Sequence, residues 1–226
     1  GVDPVDHIRQ KAGDSKGGAK VTSHLDRALK EGTLRGALHD WLYRTPIQGS
    51  SPGDERDAET VREFLEDYQA AAAAAQERQA ARLVAGGVVQ AEAIERRFTE
   101  SAREARAFLM AEDIEADGRD RMQRIRAGLL FIESYRELPL LAWPRLLVDA
   151  VVEVEEQFVL WRNRHARMTE RTIGRRVGTG GSSGVDYLDE AAKGRIFPEL
   201  WTVRTLLLQR DALPDLRQPE FYGFAR

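Results

Sequence analysis

Apolar residues recur along this chain every three or four positions and almost nowhere every two, which predicts helices and no sheet. Residues 1–20 are polar and rich in Gly and Lys (KAGDSKGGAK), a loose lead-in. Over 22–43, Thr22 or Ser23 can cap a helix whose apolar positions are Leu25, Leu29, Leu38 and Leu42, with Gly32 and Gly36 breaking it in two. The segment TPIQGSSPGDE at 45–55 contains Pro46 and Pro52 and reads as a loop. From Asp57 to about Asp117 strong helix formers dominate, and Gly86-Gly87 divides them into two helices of about 30 residues, an antiparallel hairpin. The run Ala70–Ala75 inside it reads as a tight-packing or solvent-facing helix surface. Met122, Ile125, Leu129, Ile132 and Tyr135 are in register for a helix from Arg119 to Glu137, ended by Pro139. Pro144 opens a long helix, about Arg145 to Val177, because proline fits a first turn. Pro198 starts a last short helix over Glu199–Gln209. The expected fold is all-α: one helical-bundle domain over residues 1–226, with a long helix and an Ala-rich hairpin at 57–117.

Composition narrows the chemistry. At 226 residues the chain can bury a sizeable core. Both signs of charge are mixed, and a net charge of −3 argues against a nucleic-acid or anionic-membrane surface. There is no cysteine, which excludes disulfides and thiolate metal ligands. No apolar run approaches the roughly 20 residues that span a bilayer, and no signal-peptide pattern is visible. The chain opens GVDPVDH without an initiator methionine and reads as a processed, tagged or truncated piece.

Candidate chemistry gathers in 158–188. Leu147, Val151, Val154, Phe158, Trp161, His165, Met168 and Thr172 follow helical spacing on the long helix, so His165 lies on its apolar stripe. A histidine there is either a packed core residue or an axial ligand for a flat apolar group. The helix is followed by Gly178-Thr179-Gly180-Gly181-Ser182-Ser183-Gly184. That loop is not a phosphate-binding loop, because no Lys-Ser or Lys-Thr follows, nor a dinucleotide fingerprint, because no strand precedes it. It is either a helix–helix linker or a loop whose glycines let backbone approach a ligand. Arg171, Arg175 and Arg176 either complement the dipole at the helix end or, for one of them, meet an acidic group of a ligand such as a propionate. Arg136, Glu137 and Arg204 read as members of structural ion pairs, and His7, His24 and His39 as surface residues.

The arrangement resembles the tryptophan 2,3-dioxygenase family of haem enzymes. Carrying the resemblance are Trp161 and Arg162 before His165, the step Arg171 to Gly174, the GTGGSSG string thirteen residues after the histidine, Tyr187-Leu188, and FPELWTVRT at 197–205. More loosely it reaches LHDWLYRTP at 38–46. The resemblance implies haem b with its iron on His165, and Trp161, Met168 and Thr169 at the cofactor. It implies substrate contacts from Gly178, Thr179 and Gly180, the Thr179 hydroxyl meeting the substrate ammonium. It implies L-tryptophan and O2 as substrates, N-formyl-kynurenine as product, and a cytoplasmic homotetramer built as a dimer of dimers, with no nucleic acid or membrane partner. The family's Tyr-x-x-x-Arg carboxylate clamp is not found before residue 40, and Tyr43 is followed directly by Arg44. The expectation is therefore a chain that has lost its N-terminal distal-pocket segment, its catalytic residues there unassigned, or a divergent member. Two alternatives stand beside the leading reading: a specialised relative that oxygenates a modified tryptophan or other aromatic amino acid, hinted at by Asp186 and Asp189, and a non-catalytic helical binding module.

Overall fold

A computed structural model describes Arg9 and residues 18–87, 91–175 and 184–223. Among the described residues there are eight α-helices and no strand: α1 (Gly18–Lys30), α2 (Leu34–Tyr43), α3 (Asp57–Ala85), α4 (Ala91–Leu109), α5 (Ala116–Ser134), α6 (Ala142–Ile173), α7 (Val185–Lys193) and α8 (Pro198–Leu206). Short 3₁₀ turns stand at Pro139–Leu141, Arg210–Ala212 and Pro219–Tyr222. The all-α expectation holds.

Where helix ends depart from the sequence pattern, local capping explains them. Gly32, at φ +83°, separates α1 from α2 as expected. Gly36 does not break anything: its amide donates to the Thr33 hydroxyl at 3.0 Å, the N-cap bond of α2. The second hairpin helix is 19 residues long, shorter than expected. It ends in a Schellman motif with Ala111 at φ +51°, the Ala111 amide on the Phe108 carbonyl and the Glu112 amide on that of Ala107. The long helix stops at Ile173 rather than Val177, because Gly174 turns left-handed at φ +64° and its amide closes on the Glu170 carbonyl.

The chain divides into two compact units, Gly1–Leu38 with Glu153–Ile196, and His39–Val152 with Phe197–Arg226. In the second, α5 is the central helix: Ile125, Leu129, Leu130, Phe131 and Ile132 are all buried. Phe64 and Phe131 meet edge to face at 5.4 Å, and Tyr135 and Tyr222 join them at 4.8 and 5.1 Å from Phe131. Full burial of one such ring contributes about 1.5–3 kcal/mol. At Gly128 a Cβ would stand 2.8 Å from the Leu42 carbonyl oxygen, so α5 approaches the end of α2 more closely than any other residue permits. Arg124 satisfies the carbonyls that end α2, donating to Tyr43 and Thr45 at 3.0 and 3.2 Å, and pairs with Asp57 at 3.1 Å.

Three tyrosine hydroxyls strap the C-terminal segment to this core. Tyr68 donates to the Leu206 carbonyl and accepts from the Leu208 amide. These bonds draw the chain out of α8 at Leu206, short of the expected Gln209. Tyr135 donates to the Pro214 carbonyl at 2.7 Å, and Tyr222 donates to that of Pro46 and accepts from the Gly49 amide. Burial is the main cause raising the pKa of all three, that of Tyr222 to about 12. A phenol whose folded pKa is raised stabilises fully below its unfolded value, about 10, and the contribution disappears as pH climbs through the folded value. Alkaline titration should therefore show helix loss between about pH 10 and 12, with the phenolate absorbance of these three tyrosines appearing together with it. Ionisation of the three while the circular dichroism stays native would refute the strap.

Candidate functional site

The half of α6 that belongs to the first unit has two unlike faces. Its docked face is polar or small. Glu155 is 1% exposed and its carboxylate accepts from the Ile196 amide. Arg162 donates to the Gly194 and Ala191 carbonyls at 2.8 and 3.4 Å, satisfying groups that the end of α7 leaves open. Ala166 is fully buried, as is Val185 at the start of α7. Ion pairs add to this: Arg167 with Asp189, and Arg175 with Asp186 at 2.9 Å. Asp186 also stands in the first turn of α7, where a negative charge meets the positive end of the helix.

About a quarter turn round the helix lies the apolar stripe. From Val154 onward it faces out: Phe158 is 44%, Trp161 58% and Met168 62% exposed. His165 is half-buried among them. The Trp161 ring packs on its imidazole edge to face, centroids 5.4 Å apart at 65°, and Phe158 packs on Trp161 in the same manner at 6.5 Å. Among the described residues no hydrogen bond or ion pair reaches either ring nitrogen of His165. The histidine is therefore not a satisfied core residue. Among the described residues its ring nitrogens are unpaired, and it stands among exposed apolar side chains. Thr169, one turn on, is half-buried, and the Thr172 hydroxyl is bonded to the Met168 carbonyl.

A neutral imidazole with a nitrogen lone pair to spare can ligate a metal. Among the described residues no three His, Asp or Glu side chains converge to hold a bare ion, whereas a haem iron takes a single axial histidine and draws its remaining contacts from apolar walls. Phe158, Trp161 and Met168 provide such walls, so the residues present fit that group.

Gly178, Thr179 and Gly180, expected at the substrate, lie outside the described residues, as do Arg176 and His7. The residues on either side of their loop are described. Arg175 just before it and Asp186 just after it are joined by the 2.9 Å ion pair, so the loop starts and returns at the C-terminal end of α6. That end, Ile173, is eight residues beyond His165, about 12 Å along the helix at its standard rise.

Other assignments divide. Arg136 pairs with Glu133, Arg210 with Glu137, and Arg204 with Asp149, as expected of structural ion pairs. His24 is exposed as expected. His39 is a correction: its side chain is 15% exposed and its ring lies 3.9 Å from the Glu199 carboxylate, because α2 turns that position inward toward α8. Asp186 and Asp189, read as hints of an altered substrate, are engaged in the ion pairs with α6. Sequence reasoning missed Glu155 and Ala166. The signal was present, since 155, 162 and 166 also fall on one face of a helix, but a carboxylate and an alanine do not mark a buried face.

Tryptophan 2,3-dioxygenase is the family whose sequence profile matches residues 14–207. A tryptophan 2,3-dioxygenase-like protein of Xanthomonas campestris is 49% identical over 88% of this chain and 73% of its own. Tryptophan 2,3-dioxygenase 2 of Ralstonia nicotianae is 46% identical over 85% of this chain and 53% of its own. The tryptophan 2,3-dioxygenase of Sorangium cellulosum is 43% identical over 90% of this chain and 50% of its own, so the chain spans about half the length of these last two relatives. No helix among the described residues is long and apolar enough to cross a membrane.

Replacing Glu155 by Ala leaves the part-buried Ile196 amide without its acceptor. The expected loss is about 1–3 kcal/mol in urea unfolding. A variant as stable as wild type would remove Glu155 from its bracing role.

Proposed function

The chain belongs to the tryptophan 2,3-dioxygenase family, and from that premise we propose that it is a haem-binding oxidoreductase acting on L-tryptophan or a closely related indole amino acid, with His165 as the iron ligand. The observation that carries the reading is the unbonded His165 imidazole on the exposed apolar face of α6. Trp161, packed on the ring, restrains its rotation, the role an outer partner has at a metal-bound histidine. Phe158, Trp161 and Met168 offer the porphyrin an apolar wall, and Thr169 borders it one turn on.

Bound haem b would supply an iron that activates O2 for cleavage of the indole C2–C3 bond, one atom of O2 ending on each carbon as the O–O bond breaks, to give N-formyl-kynurenine. The chain's residues do the holding and the shielding. The apolar face of α6 excludes water from the reacting groups. Gly178 and Gly180 let backbone come close to the substrate, and the Thr179 hydroxyl accepts from its ammonium, which needs such acceptors once it leaves water. The Arg175–Asp186 pair, which ties the two sides of the loop together, supports placing these residues beside the haem.

Haem titration tests the ligand. Wild type should give a Soret band that saturates at equimolar haem, and His165→Ala should lose it while keeping its helical circular dichroism. A normal haem spectrum in the variant would sink the assignment. For the loop, Thr179→Ala should weaken binding of the amino acid about tenfold and leave haem binding alone, the scale of one lost hydrogen bond to a charged group. Unchanged affinity for the amino acid would remove Thr179 from the site.

A further inference from the structure

The second unit contains a groove of about 620 Å³ between the end of α5 and the segment 207–219. Its volume is that of a small-molecule site. The walls are mostly apolar, with Leu138, Leu207, Leu208, Leu213 and Leu216 among them. Glu133 also lines the groove, and its side chain is 1% exposed. One carboxylate oxygen, Oε2, is bonded to Arg136 at 2.7 Å. The other, Oε1, is buried and among the described residues has no hydrogen-bond partner.

This is an expensive place for a carboxylate. A buried ionised group with an open acceptor is strongly unfavourable unless a donor meets it. Glu133 also stands in the last turn of α5, where helix carbonyls already carry partial negative charge and no basic residue of that turn offsets it. The wider lining has the same sign, with Glu133, Glu137 and Asp215 set against Arg136 and Arg210. An open acceptor, a surplus of negative charge and leucine walls together describe the complement of one kind of molecule. We propose that this groove binds a primary ammonium carried on a small apolar body, the ammonium donating to Glu133 Oε1 and the body lying against the leucines. Every residue invoked belongs to the second unit, so the proposal does not rest on the haem reading of His165.

The probe is 2-phenylethylamine, titrated calorimetrically into the full chain, with 2-phenylethanol as its neutral counterpart. The amine should bind at a single saturable site, at least tenfold more tightly than the alcohol. Glu133→Gln, which keeps the shape and removes the charge, should weaken the amine at least tenfold. Leu216→Trp, which fills the groove without touching Glu133, should abolish binding, and this variant decides the matter if Glu133→Gln does not fold. His165→Ala should bind the amine as wild type does. The proposal is overturned by any of four results: no saturable binding up to about 10 mM amine, which is weaker than about 3 kcal/mol; equal affinity for amine and alcohol; unchanged affinity in either groove variant; or loss of binding in His165→Ala.

Discussion

The bond from the Ile196 amide to the buried Glu155 carboxylate constrains how α6 is turned about its own axis. A carboxylate 1% exposed cannot rotate away from this donor without giving up a hydrogen bond where water does not replace it. With Glu155 held inward, helical geometry brings Arg162 and Ala166 to the same side, where Arg162 reaches the carbonyls that end α7 and Ala166 is fully buried. The same geometry leaves Phe158, Trp161, His165 and Met168 about a quarter turn away, outside that contact. The polar face of the helix is thus the buried one, and the apolar face is left available.

That inversion is costly. Large apolar side chains in water forgo the free energy that burial would return, about 1.5–3 kcal/mol for each one fully covered. A ligand that covers them recovers part of it on binding, so the exposed face is a store of affinity as well as a surface. Placing one histidine, its ring nitrogens unpaired among the described residues, in the middle of such a face joins a directional contact to a non-directional one. The arrangement suits a flat apolar group held through a central metal.

The second unit follows the opposite logic. Its helices bury ordinary apolar faces, and polar groups act as fasteners at their margins. Tyr68, Tyr135 and Tyr222 each bury an aromatic body and spend the hydroxyl on the backbone of a segment that lacks regular hydrogen bonding of its own. Charged side chains are tied in as well: Arg124 meets the Tyr43 and Thr45 carbonyls and Asp57, and Arg126 meets both oxygens of Asp113.

Much of the architecture could be read directly from residue order. Helix content and the hairpin follow from spacing and from Gly86-Gly87, both local properties, and Arg136, Glu137 and Arg204 were legible as ion-pair partners. His165, Trp161 and Met168 could be placed on one stripe for the same reason, since helical periodicity is independent of what surrounds the helix. Which stripe is covered is not a local property. The sequence pattern of α6 favours burying the apolar one, and the structure buries Glu155 and Ala166 and half-buries Arg162 instead, because the partners of Glu155 and Arg162, at Ile196 and Gly194, lie 41 and 32 residues on. The same distance hid the inward turn of His39 toward Glu199 and the early end of α8 at the hydroxyl of Tyr68. Residue order by itself determined which side chains share a face of α6. Tertiary structure decided which face meets water, because a buried charge goes where its hydrogen-bond partner is, and that partner is set by the fold.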